Sequence, residues 1–89
     1  MKIYHFPSNR RAEDLDLEGQ LLKISEECRE VLDAYLNNEG RARIIEELWD
    51  LIQAVEGALR KFLLSEVIRG FARVKLKSAH RGDYARWEE

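Results

Sequence analysis

The chain is short of the residues that cross-link, break or stiffen a backbone: one cysteine, one proline and five glycines among 89 residues. A lone Cys28 forms no internal disulfide, and with only His5 and His80 beside it there is no Cys/His spacing for zinc. No apolar run approaches the ~18–20 residues that span a bilayer, and the opening MKIYHFPSNRR has no signal-peptide core, so a cytoplasmic protein without membrane contact is expected. Neither sign of charge dominates, 15 Lys+Arg facing 17 Asp+Glu, which gives a general nucleic-acid-binding role no electrostatic support. Period-two alternation is missing outside a short Lys2–Phe6 piece, and repeats, linkers and low-complexity stretches are missing altogether.

What is present is 45% hydrophobic and 36% charged, too apolar for a disordered chain and too charged for a membrane one. The length allows one small domain. Residues 1–14 read as an N-terminal arm, extended around Pro7 and turning into a helix start, with no chemistry of its own. Residues 15–82 read as a helical domain and 83–89 as a tail. From about Leu15, the apolar residues Leu17, Leu21, Ile24, Cys28, Val31 and Tyr35 recur at spacings of four and three, the stripe of an amphipathic helix. This stripe places Cys28 in the core as a packing residue. Asn37-Asn38-Glu39-Gly40 ends that helix, and a second run, from Ile44 through Leu48, Trp49, Ile52 and Val55 to Leu63, closes a hairpin.

The apolar face of the second helix is wider than one neighbour buries. A third helix, around Glu66 to Arg81, is expected to cover part of it, and further copies of the chain the rest. The fold class is therefore all-α: a helical hairpin plus a C-terminal helix, forming a bundle as a homodimer or a dimer of dimers. Trp49 and Tyr35 are read as core or oligomer contacts. Tyr84 and Trp87, in the polar tail, read as packing onto a neighbour, with stacking on a base as the other option. His5 and His80 have no partner that the sequence identifies.

Each hairpin helix carries acidic residues at i, i+3: Glu27 with Glu30, and Glu47 with Asp50. Such pairs share a helix face and repel by a few tenths of a kcal/mol. Either pair alone is ordinary on a solvated helix. Their relation is not, because Glu27 and Asp50 are equally far from the apex between Asn38 and Glu39, as are Glu30 and Glu47. In a hairpin the four carboxylates share one height, about 13–17 Å from the turn at 1.5 Å per residue. On the helical wheel they flank the core, and on the second helix they stand beside the small residues Ala54, Gly57 and Ala58, with Lys61 below. Four carboxylates converging on a gap suit a hard, oxygen-seeking cation, Mg2+ or Mn2+.

The motif Glu26-Glu27-Cys28-Arg29-Glu30, followed after sixteen residues by Glu47-Leu48-Trp49-Asp50, resembles the E-E-x-x-E and E-x-x-D signature of the MazG-like, all-α nucleoside triphosphate pyrophosphohydrolases. The likeness covers about Leu21 to Phe62. It implies Glu27, Glu30, Glu47 and Asp50 as metal ligands, Glu26 as an orienter or base for water, and hydrolysis of a nucleoside triphosphate to the monophosphate and pyrophosphate.

Charge is unevenly distributed: residues 67–82 contain no acid, and Arg69, Arg73, Lys77 and Arg81 recur every four residues. Phosphates would suit this ridge; a solvated basic face, or one pairing with acids of another chain, is the competing reading. Lys77 with Arg81-Gly82 is similar to a phosphate-binding segment of the family, while Val74 stands where the family commonly has Asn. The resemblance thus implies Lys77, Arg81 and Arg73 as phosphate contacts. A non-catalytic helical module, binding a nucleotide or a protein partner, is the alternative function.

Overall fold

A computed structural model of the chain describes residues 2–85. Trp87 lies outside the described residues. Four helices follow in order: α1 (Arg10–Asp14), α2 (Leu17–Leu36), α3 (Arg41–Leu59) and α4 (Leu64–His80), with no strand among the described residues. The all-α expectation holds, and among the described residues no helix is long and apolar enough to cross a membrane.

The helix boundaries follow from side-chain chemistry. Asn9 caps α1, its Oδ1 accepting from the Arg11 and Ala12 amides at 2.9 and 3.4 Å, so the arm ends in a helical turn rather than remaining extended. Asp16 caps α2 through a 2.7 Å bond from the Gly19 amide. The α2–α3 turn is a Schellman closure. Asn38 takes the left-handed conformation (φ 54°), the Glu39 amide returns to the Ala34 carbonyl at 3.0 Å and the Asn38 amide to the Tyr35 carbonyl at 3.1 Å. Gly40, at φ 97°, then starts α3. The end of α4 repeats the device, with Gly82 at φ 70° and the Asp83 amide on the Ser78 carbonyl. Arg81-Gly82 is therefore a helix stop whatever else it does.

α2 and α3 pack closely along each other, α1 lies on α3, and α4 packs along none of them. The expected cover of α3 by the third helix is thus not formed. α4 buries only Val67 and leaves Phe71, Val74 and Leu76 exposed.

The seam of the hairpin differs from the expected one by a single residue of register. On α2 the inward positions are Gln20, Ile24, Glu27, Val31 and Ala34, and on α3 they are Ile44, Glu47, Leu51, Ala54 and Ala58. Both runs alternate spacings of three and four, the repeat of a coiled-coil seam. The carboxylates of Glu27 and Glu47 therefore lie in the helix interface rather than beside it. Ala34, Ala54, Gly57 and Ala58 allow the close approach, so small residues set the seam and the larger apolar side chains are left over.

Those left-over side chains share one side. Leu21, Cys28, Leu32 and Tyr35 follow the α2 seam positions by one residue, as Ile45, Leu48, Ile52 and Val55 follow those of α3. One residue is a rotation of about 100°, and in antiparallel helices that rotation turns both rows to the same side of the pair. All eight are exposed; Leu32 retains 55% and Leu48 43% of its accessible surface. Cys28 is accordingly a surface residue of the chain, contrary to the core placement expected from the stripe through Leu21 and Tyr35.

The arm is pinned across α3. The buried Glu56 carboxylate accepts from the His5 and Phe6 amides, each at 3.0 Å, and pairs with His5 Nδ1 at 2.8 Å. Arg60 donates to the Phe6 carbonyl at 2.6 Å and lies 4.2 Å from the centre of the Tyr4 ring. Lys61 Nζ binds the carbonyls of Ala12 and Leu15. The rings of His5 and Phe6 meet Trp49 edge-on at 5.7 and 6.0 Å. His5 therefore has partners, and the arm supplies the packing that α4 does not.

Candidate metal centre

The side of the hairpin opposite the apolar rows carries the charges. Lys23, Glu26 and Glu30 on α2, and Arg43, Glu46 and Asp50 on α3, are turned about 40–100° from the seam the other way. Glu27 and Glu47 rise from the seam toward this side. They retain 6% and 3% of their surface, whereas Glu30 is exposed. One carboxylate oxygen from each of Glu27, Glu30 and Glu47 can be chosen so that all three lie within 4.8 Å of one another.

The electrostatics of that triad are strained in a chemically informative way. Lys23 Nζ holds Glu27 Oε1 at 3.1 Å, and Arg43 Nη2 holds Glu47 Oε1 at 2.5 Å. The second oxygens, Glu27 Oε2 and Glu47 Oε2, are buried with no hydrogen-bond partner. A buried carboxylate oxygen without a donor is costly, of the order of 1–3 kcal/mol or more for a charged group. Glu30 registers the crowding. Its carboxyl is pushed up from its ordinary value, first by the neighbouring charge of Glu27, with desolvation and the charge of Glu47 adding to it. Lys23 is shifted up as well, chiefly by its bond to Glu27.

Asp50 is not part of the triad. It lines, with Lys23, Glu27, Gln20, Gln53 and Asn9, an adjoining cavity of about 500 Å3 between the arm, α2 and α3. Glu26 is exposed beside Lys23, at 3.8 Å. Of the five acidic positions expected to form the site, three converge, Asp50 shares the cavity wall with one of them, and Glu26 lines no part of that cavity.

The basic ridge is elsewhere. Arg73 and Lys77 are on α4 and Arg81 is its C-cap; they line no part of this cavity and pair with no acid of the triad, while Arg81 Nε binds Asp83 at 3.1 Å. Within this chain the expected phosphate contacts are not brought to the carboxylates.

Sequence reasoning passed over Gln20, which is 2% exposed. Its Nε2 donates to the Ala54 carbonyl at 2.8 Å, and a Cβ added to Gly57 would come within 2.8 Å of that nitrogen. The pair Gln20 and Gly57 thus locks the register of the seam two turns beyond the acids. The signal was a polar residue on a 3.5-residue spacing with Glu27 and Ala34, legible only once the seam is known.

The donor set is all oxygen and anionic, with two donor atoms lacking any partner, which fits a hard divalent cation such as Mg2+ or Mn2+ and offers no thiolate or imidazole for zinc. Fold and site together define a class: an all-α hairpin with a carboxylate triad at its seam, two of the three buried in it. The chain matches no model of a known protein family, no curated protein and no solved structure.

Proposed function

We propose that this protein is a Mg2+-dependent nucleoside triphosphate pyrophosphohydrolase of the MazG-like kind, acting in nucleotide-pool control. The observation that carries the reading is the pair of buried, donor-less oxygens on Glu27 and Glu47, presented from facing helices with Glu30 beside them. A cation is the partner such oxygens lack.

In this reading Glu27, Glu30 and Glu47 hold the ion, and Asp50 completes the set from the cavity wall. The ion, when bound, neutralises phosphate oxygens that the carboxylates would otherwise repel. Glu26, exposed beside Lys23, orients a water and takes its proton as the water oxygen bonds to the α-phosphorus. The α–β bridging oxygen leaves with pyrophosphate. The cavity beside Glu27 and Asp50 has the volume for a nucleoside.

The exposed rows through Leu32 and Leu48 support a homodimer or dimer of dimers, since a second copy removes both from water. The basic ridge of α4 is then free to serve an acidic site other than its own chain's.

The test is incubation with Mg2+ and each standard nucleoside triphosphate, reading monophosphate and pyrophosphate release. Turnover that Glu47→Gln abolishes supports the reading. No turnover on standard or modified nucleotides overturns it and favours the second reading, a non-catalytic module binding a nucleotide or a protein, which the separation of α4 from the triad also favours.

A further inference from the structure

The two buried acids are held in the same way. Each is contacted by a basic residue four positions earlier on its own helix, at Oε1 only, leaving Oε2 without a partner. Basic-before-acidic is the less favourable order for supporting a helix, so helix propensity does not account for the arrangement. Burial does, because a carboxylate packed into the seam at 6% or 3% exposure is taken out of water and needs a counter-charge beside it.

The carboxylates and their partners differ in freedom. Glu27 and Glu47 are fixed by the packing of α2 on α3, whereas the Lys23 and Arg43 side chains are 47% and 50% exposed on flexible stems. Either basic side chain can leave without opening the helix pair. Arg43 already has alternative partners, Glu46 at 3.2 Å and Glu39 at 3.7 Å. Lys23, besides a 3.8 Å approach to Glu26, lines the cavity with Glu27 and Asp50.

We propose that Lys23 and Arg43 are exchangeable counter-ions of the carboxylate triad: each neutralises a buried acid while no divalent cation is bound and releases it when one binds, Arg43 to Glu39 and Glu46, Lys23 to the phosphates of a ligand in the cavity. This rests on the triad being a cation site. Its consequence is that the apparent affinity for a divalent ion is lowered by two resident positive charges, and that the phosphate contact within the chain comes from α2 rather than from α4.

The test is Mn2+ titration, followed by electron paramagnetic resonance, of the wild type, Lys23→Gln and Arg43→Gln, with circular dichroism confirming helix content. Removing a resident positive charge is expected to tighten Mn2+ binding about threefold to tenfold in each variant. Unchanged or weaker binding overturns the proposal, since residues that merely orient the carboxylates would cost affinity when removed. With Mg2+ present, Lys23→Gln is expected to weaken inorganic pyrophosphate binding by at least about fivefold by calorimetry, with Arg43→Gln within about twofold of wild type; equal binding by Lys23→Gln overturns the transfer to phosphate. In the unaltered protein, the Lys23 Nζ and Arg43 Nε resonances should shift as Mg2+ is added, and their constancy at saturation overturns the exchange without recourse to a variant. A wild type that binds no Mn2+ removes the cation site itself, a result distinct from either failure of the exchange.

Discussion

Replacing Glu56 with glutamine tests how the N-terminal arm is retained. The carboxylate accepts two backbone amides and faces a ring nitrogen of His5, all from a buried position on α3. Hydrogen bonds to a charged acceptor contribute about 1.5–3 kcal/mol each, non-additively where they share one group. The Arg60 and Lys61 contacts to the arm persist in the variant, so a net loss of about 2–3 kcal/mol in arm docking is expected, not detachment of α1. At 1.36 kcal/mol per decade this raises the open population of the arm about 30- to 150-fold. Amide hydrogen exchange at His5 and Phe6 reads that ratio directly.

The pH dependence supplies an independent arm of the same test. Burial pushes the Glu56 carboxyl up, but the donors from His5 and Phe6 more than offset it, and the group is held below its ordinary value. A depressed folded-state value means that the stabilisation is complete above the unfolded carboxyl range, near pH 4.5, and is lost as pH falls through the lower folded value. Glu56→Gln should remove that acid-side loss of protection. Equal protection of the two amides in variant and wild type, with the same acid limb, would refute the clamp.

Three further outcomes follow from the packing. Gly57→Ala puts a methyl within 2.8 Å of Gln20 Nε2 and 3.0 Å of the Ala12 Cβ, so urea unfolding should show a loss of about 1–3 kcal/mol. Mg2+ should raise the melting temperature of the wild type, a ligand at 100 times its Kd being worth about 2.7 kcal/mol, and Glu47→Gln should lose that gain. Light scattering of the wild type is expected to report a dimer or larger particle, and Leu32→Lys combined with Leu48→Lys, which places charges on the exposed apolar rows, should return it to monomers.

Much of the acidic arrangement is legible in the sequence. Helix periodicity is local, and Asn38 with Gly40 marks the turn, so the equal distance of the acidic pairs from the apex follows from residue counting. The seam was not legible in the same way. The expected stripe through Leu21, Cys28 and Tyr35 and the observed one through Gln20, Glu27 and Ala34 share Ile24 and Val31. Hydrophobicity alone prefers the first. The second prevails because Ala54, Gly57 and Ala58 on α3 accept a closer helix, and Gln20 secures it with a bond to the Ala54 carbonyl.

The arm shows the same division. Nothing within residues 1–14 announces a partner, since the acid that holds it, Glu56, is about fifty positions away and reads as one more surface glutamate. Nor could the basic period of α4 say where that helix would lie, and in this chain it lies along neither acidic helix.

What the sequence by itself determined was therefore everything carried by near neighbours: the all-α class, the hairpin and its turn, and the common height of the carboxylates. Tertiary structure alone decided which face closed, burying Glu27 and Glu47 and leaving Cys28 and the leucines outside. The reason is that helix formation depends on contacts within a turn, whereas the choice between two adjacent stripes depends on how closely another helix can approach, and that is a property of the pair.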